Sequence, residues 1–401
     1  MSNTDEGSVR PFLGYGRQTI EQEDIDAVVA ALKGDMLTQG SQVPAFEQAL
    51  AKTCGATYAV AVSSATAGLH IACLAAGMKP GDVGITQPIT FVASANCFAY
   101  CGAEIELAEI DPETMMMSPA ALAEAISRRP EISVVIPVSF GGLSSEGEAL
   151  RAAAGPNRII IEDASHSFGA LEANGGRVGA GSWADMTIFS FHPVKPATTG
   201  EGGAVVTHSK ELYEKLLLLR SHGIERAAEK LEVGDASDPW WYEQQHLGFN
   251  YRLTDIQAAL GISQIRRIDQ FLARRREIAA RYDAAFRDLN NVGLIQSAPD
   301  QRVRSGHHVY ILRIDYDAVG LSRREVMAQL RERGVGTQVH YVPVYKQPWH
   351  RPGFPDGEAR FPASEAFYDQ ALTIPCFPSM TDAEVDHVAD SVKSVLAGFA
   401  S

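Results

Sequence analysis

Cysteine is scarce in this sequence, and its placement excludes two roles at once. The 401 residues hold five cysteines: Cys54, Cys73, Cys97, Cys101 and Cys376. Their odd number and wide scatter do not make a disulfide framework. No nearby Cys or His completes a metal site with Cys97 and Cys101. Reduced, buried thiols in a cytoplasmic protein are therefore expected. Positive charge is thin as well: 35 Lys+Arg face 49 Asp+Glu, a formal net charge of −14, with no basic cluster. Neutralising a phosphate backbone needs a basic face, so nucleic-acid binding is excluded. No apolar run approaches the length that spans a bilayer, so no membrane role is expected. The opening residues, with Asp5 and Glu6, lack the apolar stretch of a secretory signal. Internal repeats are absent, and the 35 Gly follow no three-residue period.

What is present is an ordinary globular composition, 45% hydrophobic and 21% charged, which excludes extensive disorder. At roughly 150 residues per domain, the length suggests two domains. From Thr57 onward, short β-branched runs alternate with longer helical patterns. Thr57–Val62, Val83–Gln87, Glu104–Ile110, Ile132–Val138 and Arg158–Asp163 read as strands, and Ala65–Met78 and Phe91–Cys101 as helices. Ser118-Pro119 opens a further helix through Ile126. Met186–Phe191 and Gly203–His208 are strands with no helix between them. This alternation predicts an α/β domain with a mostly parallel sheet. After Thr254 the texture changes to one long helical pattern, Thr254–Asp288, then isolated strands at Val309–Ile314 and Gly336–Val342. Capping boxes at Ser322/Glu325 and Thr381/Glu384 open two more helices. The expected division is a large domain over 1–265 and a smaller α+β domain over 266–401.

Four elements carry candidate chemistry, each at a strand end. Lys195 follows the apolar strand Met186–Phe191 and precedes Thr198-Thr199-Gly200-Glu201-Gly202-Gly203. Poor solvation there lowers the ammonium pKa and yields the nucleophilic amine that imine chemistry requires. From context alone, a structural lysine is an equal alternative. Asp163 ends the strand before Ala164-Ser165-His166, where α/β folds bind ligands. A carboxylate there can pair with a protonated ring nitrogen; taken alone, it reads more readily as a cap of the following turn, and His166 is ambiguous for the same reason. Ser63-Ser64-Ala65-Thr66-Ala67-Gly68 joins a strand to a helix start, whose free N–H groups form an anion site or are a plain N-cap. It is no Walker motif, since no Gly-Lys-Ser/Thr follows. Ser190 could add a hydroxyl to such an anion. Phe91, at the same sheet edge, fits a flat ring or a core position.

Taken in order, these features resemble the fold-type I, pyridoxal-phosphate-dependent nucleotide-sugar aminotransferases of the DegT/DnrJ/StrS class. The similarity runs from Gly14-Tyr15-Gly16-Arg17-Gln18 and Leu37-Thr38-Gln39-Gly40 through the C-terminal part. It is densest in FSFHPVKPATTGEGGAVVT (189–207) and LGFNYRLTDIQAALG (247–261). The resemblance implies that Lys195 carries the cofactor as an imine, Asp163 pairs with the pyridine nitrogen and Phe91 stacks on the ring. It places His166 near the ring hydroxyl. Ala65 and Thr66 N–H and the Ser190 hydroxyl would hold the phosphate, joined by Asn250 from a neighbouring subunit, so that a homodimer shares its active sites. Gln39, His192 and His340 fall on segments that line the sugar side.

Within the class, FHPVKPATTGEGG, SSATAGLH and Trp240–Gln244 most resemble the C4 aminotransferases of the pseudaminic-acid pathway. Those act on a UDP-linked 4-keto-6-deoxy-N-acetylhexosamine with L-glutamate as amino donor. Ala65 stands where much of the wider family has Gly, which favours this subgroup. Departures bear on the sugar: Ser139 where relatives usually carry His, Gly141-Gly142 in place of a small-and-polar pair, and Gly84 in place of Glu. Related sugar dehydratases that use pyridoxamine phosphate carry His at the lysine position, where this chain has Lys195. A non-catalytic regulator on the same scaffold is the reading from another class.

Overall fold

A computed structural model of the chain describes residues 12–181, 183–234 and 237–397. The acidic opening with Asp5 and Glu6 lies outside them. Seven short strands form the main sheet: β1 (Tyr58–Val62), β2 (Val83–Thr86), β3 (Glu104–Leu107), β4 (Ile132–Ile136), β5 (Ile159–Asp163), β6 (Met186–Ser190) and β7 (Gly203–Thr207). Their order is β1-β7-β6-β5-β4-β2-β3, and only β7 runs against its neighbours. The mostly parallel sheet read from the sequence is what folds, with strand ends differing by one to three residues.

Successive side chains of a strand point to opposite faces, and here both faces are covered. Val60, Val62, Ile188 and Val205 pack on one side against Leu69 and Phe98. Ala59, Ala61, Phe189, Ala204 and Val206 pack on the other against Phe46, Leu50 and Phe168. Each fully buried large aliphatic or Phe contributes about 1.5–3 kcal/mol. Phe46 and Leu50 belong to Gln42–Cys54, the second of two N-terminal helices after Gln22–Leu32. Nothing in the reading of the sequence anticipated that pair.

The structure accounts for Gly84. A Cβ there would lie 2.2 Å from the Phe98 ring, which rests directly on β2. Gly84→Ala is therefore expected to cost about 1–3 kcal/mol through overpacking. Urea denaturation checks this, and Phe98→Leu in the same chain should recover part of the loss.

A second layer holds a three-stranded antiparallel sheet, Val292–Leu294, Tyr310–Ile314 and Ala371–Ile374. It packs with helices Ile268–Phe286, Arg323–Glu332 and Asp382–Ala397 around Tyr282, Leu312, Leu330 and Val388. Both expected capping boxes form, with Ser322 and Thr381 accepting from the N–H groups of Glu325 and Glu384.

Two expectations are overturned here. The single helix over Thr254–Asp288 is two, Asp255–Arg266 and Ile268–Phe286. Arg267 leaves helical geometry at φ −108°, ψ 5°. Its guanidinium is drawn to Glu21 (2.6 Å), Glu23 (2.7 Å) and the buried Asp24. The strand expected over Gly336–Val342 also does not form. Gln338 exchanges one pair of backbone hydrogen bonds with Thr373 (3.1 and 2.8 Å), and the chain then leaves the sheet edge. That departure carries His340 and Tyr341 into the site described next.

Candidate active site

The absence of a crossover helix between β6 and β7 leaves residues 191–202 as a loop at the carboxyl end of β6. It is tied down at both ends. Phe191 N–H donates to Gly202 O (2.9 Å), and Thr199 N–H (3.0 Å) and Thr198 Oγ1 (3.0 Å) both donate to Phe191 O. Lys195 sits inside this tie, its N–H bonded to His192 O at 2.9 Å. Burial pushes the Lys195 amine down to about 8, against a smaller opposing pull from the Asp163 charge. An ammonium that loses water without a close anionic partner titrates early.

Asp163 ends β5 and is 5% exposed. One carboxylate oxygen accepts from Ser165 N–H (3.1 Å) and Ser165 Oγ (2.6 Å), and the other from Ser94 Oγ (2.7 Å). Ser94 also shares a hydrogen bond with Thr90 Oγ1 at 2.8 Å, one helical turn back. The turn-cap reading of Asp163 is thus true of one oxygen, while the second faces Ser94 in the first turn of the helix Ala93–Tyr100, which follows Phe91.

His166 lies buried beside them. Gly141 N–H approaches Nδ1 at 3.4 Å, which leaves the proton on Nε2 to donate to Tyr341 Oη at 3.0 Å. His308 packs on it with ring centroids 4.5 Å apart. His340 hydrogen-bonds Thr373 Oγ1 through Nδ1 at 2.8 Å and stands edge-on to Tyr15 at 5.1 Å. Burial holds all three imidazoles well below their ordinary pKa, His340 at about 3, and the Lys195 charge pushes each further down. Burial raises the Tyr341 phenol well above its usual range. The imidazoles near the amine are therefore neutral, and Asp163 is the charge that acts on it.

The anion end converges on one glycine. Ser64 caps the helix Ala65–Ala75 by accepting from Ala67 N–H (3.1 Å), and the first-turn N–H groups of Ala65 and Thr66 have no helical acceptor. Gly203 faces Ser190 in the β6–β7 register. A Cβ on Gly203 would lie 2.5 Å from Ala65 N and from the Ser64 carbonyl carbon. Only glycine lets the helix start pack this closely on β7, and the pairing of Gly203 with Ser190 sets the Ser190 hydroxyl on the same face as that helix start. Its N–H groups and the helix dipole favour a phosphate.

Phe91 is 57% exposed, so the core reading fails; its ring lies 6.1 Å from Tyr341 at the rim of the cleft. The structure does not draw in every sequence candidate. Gln39, His192 and Asn250 are exposed, and their side chains form no hydrogen bond among the described residues. Ser139, at one of the departures, donates to Glu162 (2.5 Å) in the interior. Sequence reasoning missed Ser94, Tyr341 and His308. A signal existed for Ser94, one turn after Thr90, and for Tyr341, next to His340; none marked His308.

A model of the DegT/DnrJ/EryC1/StrS aminotransferase family matches residues 18–393. The spore coat polysaccharide biosynthesis protein SpsC of Bacillus subtilis is 37% identical over 389 residues, covering 96% of this chain and 98% of that one. A UDP-4-amino-4,6-dideoxy-N-acetyl-beta-L-altrosamine transaminase of Campylobacter jejuni is 37% identical over 386 residues, with the same coverage. Among solved structures, Helicobacter pylori PseC, an aminotransferase involved in the biosynthesis of pseudoaminic acid, superposes with a TM-score of 0.87. It is 30% identical over 97% of this chain and all of its own. The sugar aminotransferase Spr1654 of Streptococcus pneumoniae, described as putative and solved in PLP and PMP forms, gives TM-scores of 0.86 and 0.85 at 26% identity, over 96% of this chain and 99% and 98% of its own. On the strength of a match that spans both layers and every strand end described above, the chain belongs to the DegT/DnrJ/EryC1/StrS aminotransferase family.

Proposed function

We propose that this chain is a pyridoxal-phosphate-dependent aminotransferase that moves an amino group from L-glutamate to C4 of a UDP-linked 4-keto-6-deoxy-N-acetylhexosamine. The observation that carries the reading is a desolvated amine that feels the charge of a hydrogen-bonded carboxylate, on the same sheet edge as a helix start that packs on Gly203 with its first N–H groups free of helical acceptors. The site fits the cofactor. Ala65 N–H, Thr66 N–H and Ser190 Oγ hold its phosphate, Lys195 Nζ its aldehyde carbon and Asp163 its ring nitrogen. Phe91 covers one ring face, and His166 stands at the ring hydroxyl. Bound there, pyridoxal phosphate supplies an electron sink for charge left when the donor's α-proton departs.

The residues of the chain do the rest. Asp163 would keep the ring nitrogen protonated, and Lys195 Nζ, when not bonded to the cofactor, would be the base that takes the donor's α-proton. Neutral His166, His308 and His340 place no second positive charge near that amine, so it stays basic enough to act while a fraction of it, growing up to about pH 8, is unprotonated. In this reading Asn250 reaches the phosphate site of a second copy in a homodimer, and Gln39, His192 and His340 line the sugar side. The large domain runs to about residue 265, just before the break at Arg267. Five free, buried cysteines suit a cytoplasmic enzyme. The 37% identity to the Campylobacter jejuni transaminase supports the UDP-linked C4 substrate.

Incubation with L-glutamate and a panel of nucleotide-linked keto sugars tests the substrate. The expected product is one 4-amino sugar, detected by mass spectrometry, from the UDP-linked N-acetylhexosamine; transfer only to other sugars would refute it. The amine pKa gives a pH signature. Only free Lys195 can capture the cofactor, so the capture rate of apoprotein should rise about tenfold per pH unit below pH 8 and level off above it. A rate still climbing at pH 10 would mean an unperturbed lysine.

A further inference from the structure

Behind the lysine loop lies a small chamber at the meeting of four segments. Arg17 and Thr19 come from the N-terminal stretch, Lys195 and Thr198 from the loop, Gln264 and Arg275 from the two consecutive helices, and Pro378 closes it from the second layer. The space open to the centre of a water-sized particle is about 10 Å³, room for one atom-sized occupant. Two buried polar atoms of residues that line it, Arg275 Nε and Thr19 Oγ1, have no hydrogen-bond partner among the described residues.

The charge balance of the wall is one-sided. Three cations border it and no carboxylate does. Arg275 is 1% exposed and forms no ion pair among the described residues. Its Nη1 donates only to carbonyl oxygens, those of His307 (3.3 Å), His308 (3.1 Å) and Cys376 (2.5 Å). The acid that Gln264 reaches, Asp24, is already held by Arg267. A buried guanidinium with neutral acceptors alone is a costly arrangement, and an anion on its free N–H relieves it.

We propose that this chamber binds a small monovalent anion of the size and charge of chloride, held by Arg275 Nε and Thr19 Oγ1. Phosphate, sulfate and carboxylates are too large. The ion joins the N-terminal stretch, the lysine loop and the second layer around one charge. The site does not depend on the substrate assigned above.

Crystals of the full chain soaked in bromide test this directly. An anomalous peak within hydrogen-bond distance of both atoms is expected. At equal ionic strength, the thermal midpoint should be higher in chloride than in gluconate, which is too bulky to enter. Thr19→Val keeps the shape of the wall and removes one donor; halide should bind it roughly tenfold more weakly. No bromide peak in the chamber, or a midpoint indifferent to halide, overturns the proposal.

Discussion

Lys195→Ala should abolish amino transfer, lowering turnover by about 10⁴-fold or more, because one substitution removes both the covalent anchor and the proton-transferring base. The protein itself should survive. Lys195 forms no ion pair among the described residues, and its loop is held by Phe191, Thr198, Thr199 and Gly202 rather than by its own side chain. The variant should still bind pyridoxamine phosphate, which needs the helix start at Ala65 and Asp163 but not the amine. Borohydride should fix the cofactor to the wild-type chain at Lys195 and leave the variant unlabelled. Sustained turnover by the variant would refute the assignment of the base.

Asp163→Asn should lower kcat by about 100- to 1000-fold with the fold intact. The amide can keep its carbonyl toward the two donors of Ser165 and turn its NH₂ toward Ser94, whose hydroxyl rotates to accept. What the amide cannot supply is the negative charge that keeps the ring nitrogen protonated. Asp163→Glu retains that charge but displaces it by one methylene, so it should recover part of the rate. Steady-state kinetics of the two variants, with thermal midpoints as a check on folding, separate charge from geometry. Near-normal kcat in Asp163→Asn would remove the carboxylate from the reaction.

Much of this was legible because chemistry in a parallel sheet collects at strand ends, and strand ends are marked in a sequence. Asp163 and Lys195 each terminate an apolar run, and Ser64 opens a helix after one. The parts that were not legible depend on distant chain. The apolar stripe through Ile262, Ile265 and Ile268 runs unbroken across Arg267, and the break is set by Glu21, Glu23 and Asp24, more than 240 residues earlier. Gly336–Val342 has the Val339, Tyr341 and Val342 of a strand, yet the sheet edge offers it one residue of pairing, at Thr373. His308 meets His166 only because the second layer folds over the first. Phe91 could be core or rim from sequence alone, and its exposure decides.

The hairpin β6–β7 has a final consequence. Ser190 and Gly203 are directly paired, so the hydroxyl, the close approach of the helix start and the lysine tie are all indexed to a single ladder of hydrogen bonds. A slip of one rung would turn Ser190 into the opposite layer and drive the side chain of Ala204 against the helix start that only Gly203 accommodates. Errors in this hairpin are therefore all-or-none: a molecule that pairs it wrongly retains no partial site, and a preparation containing misfolded chains should read as fewer working enzymes, each at full speed.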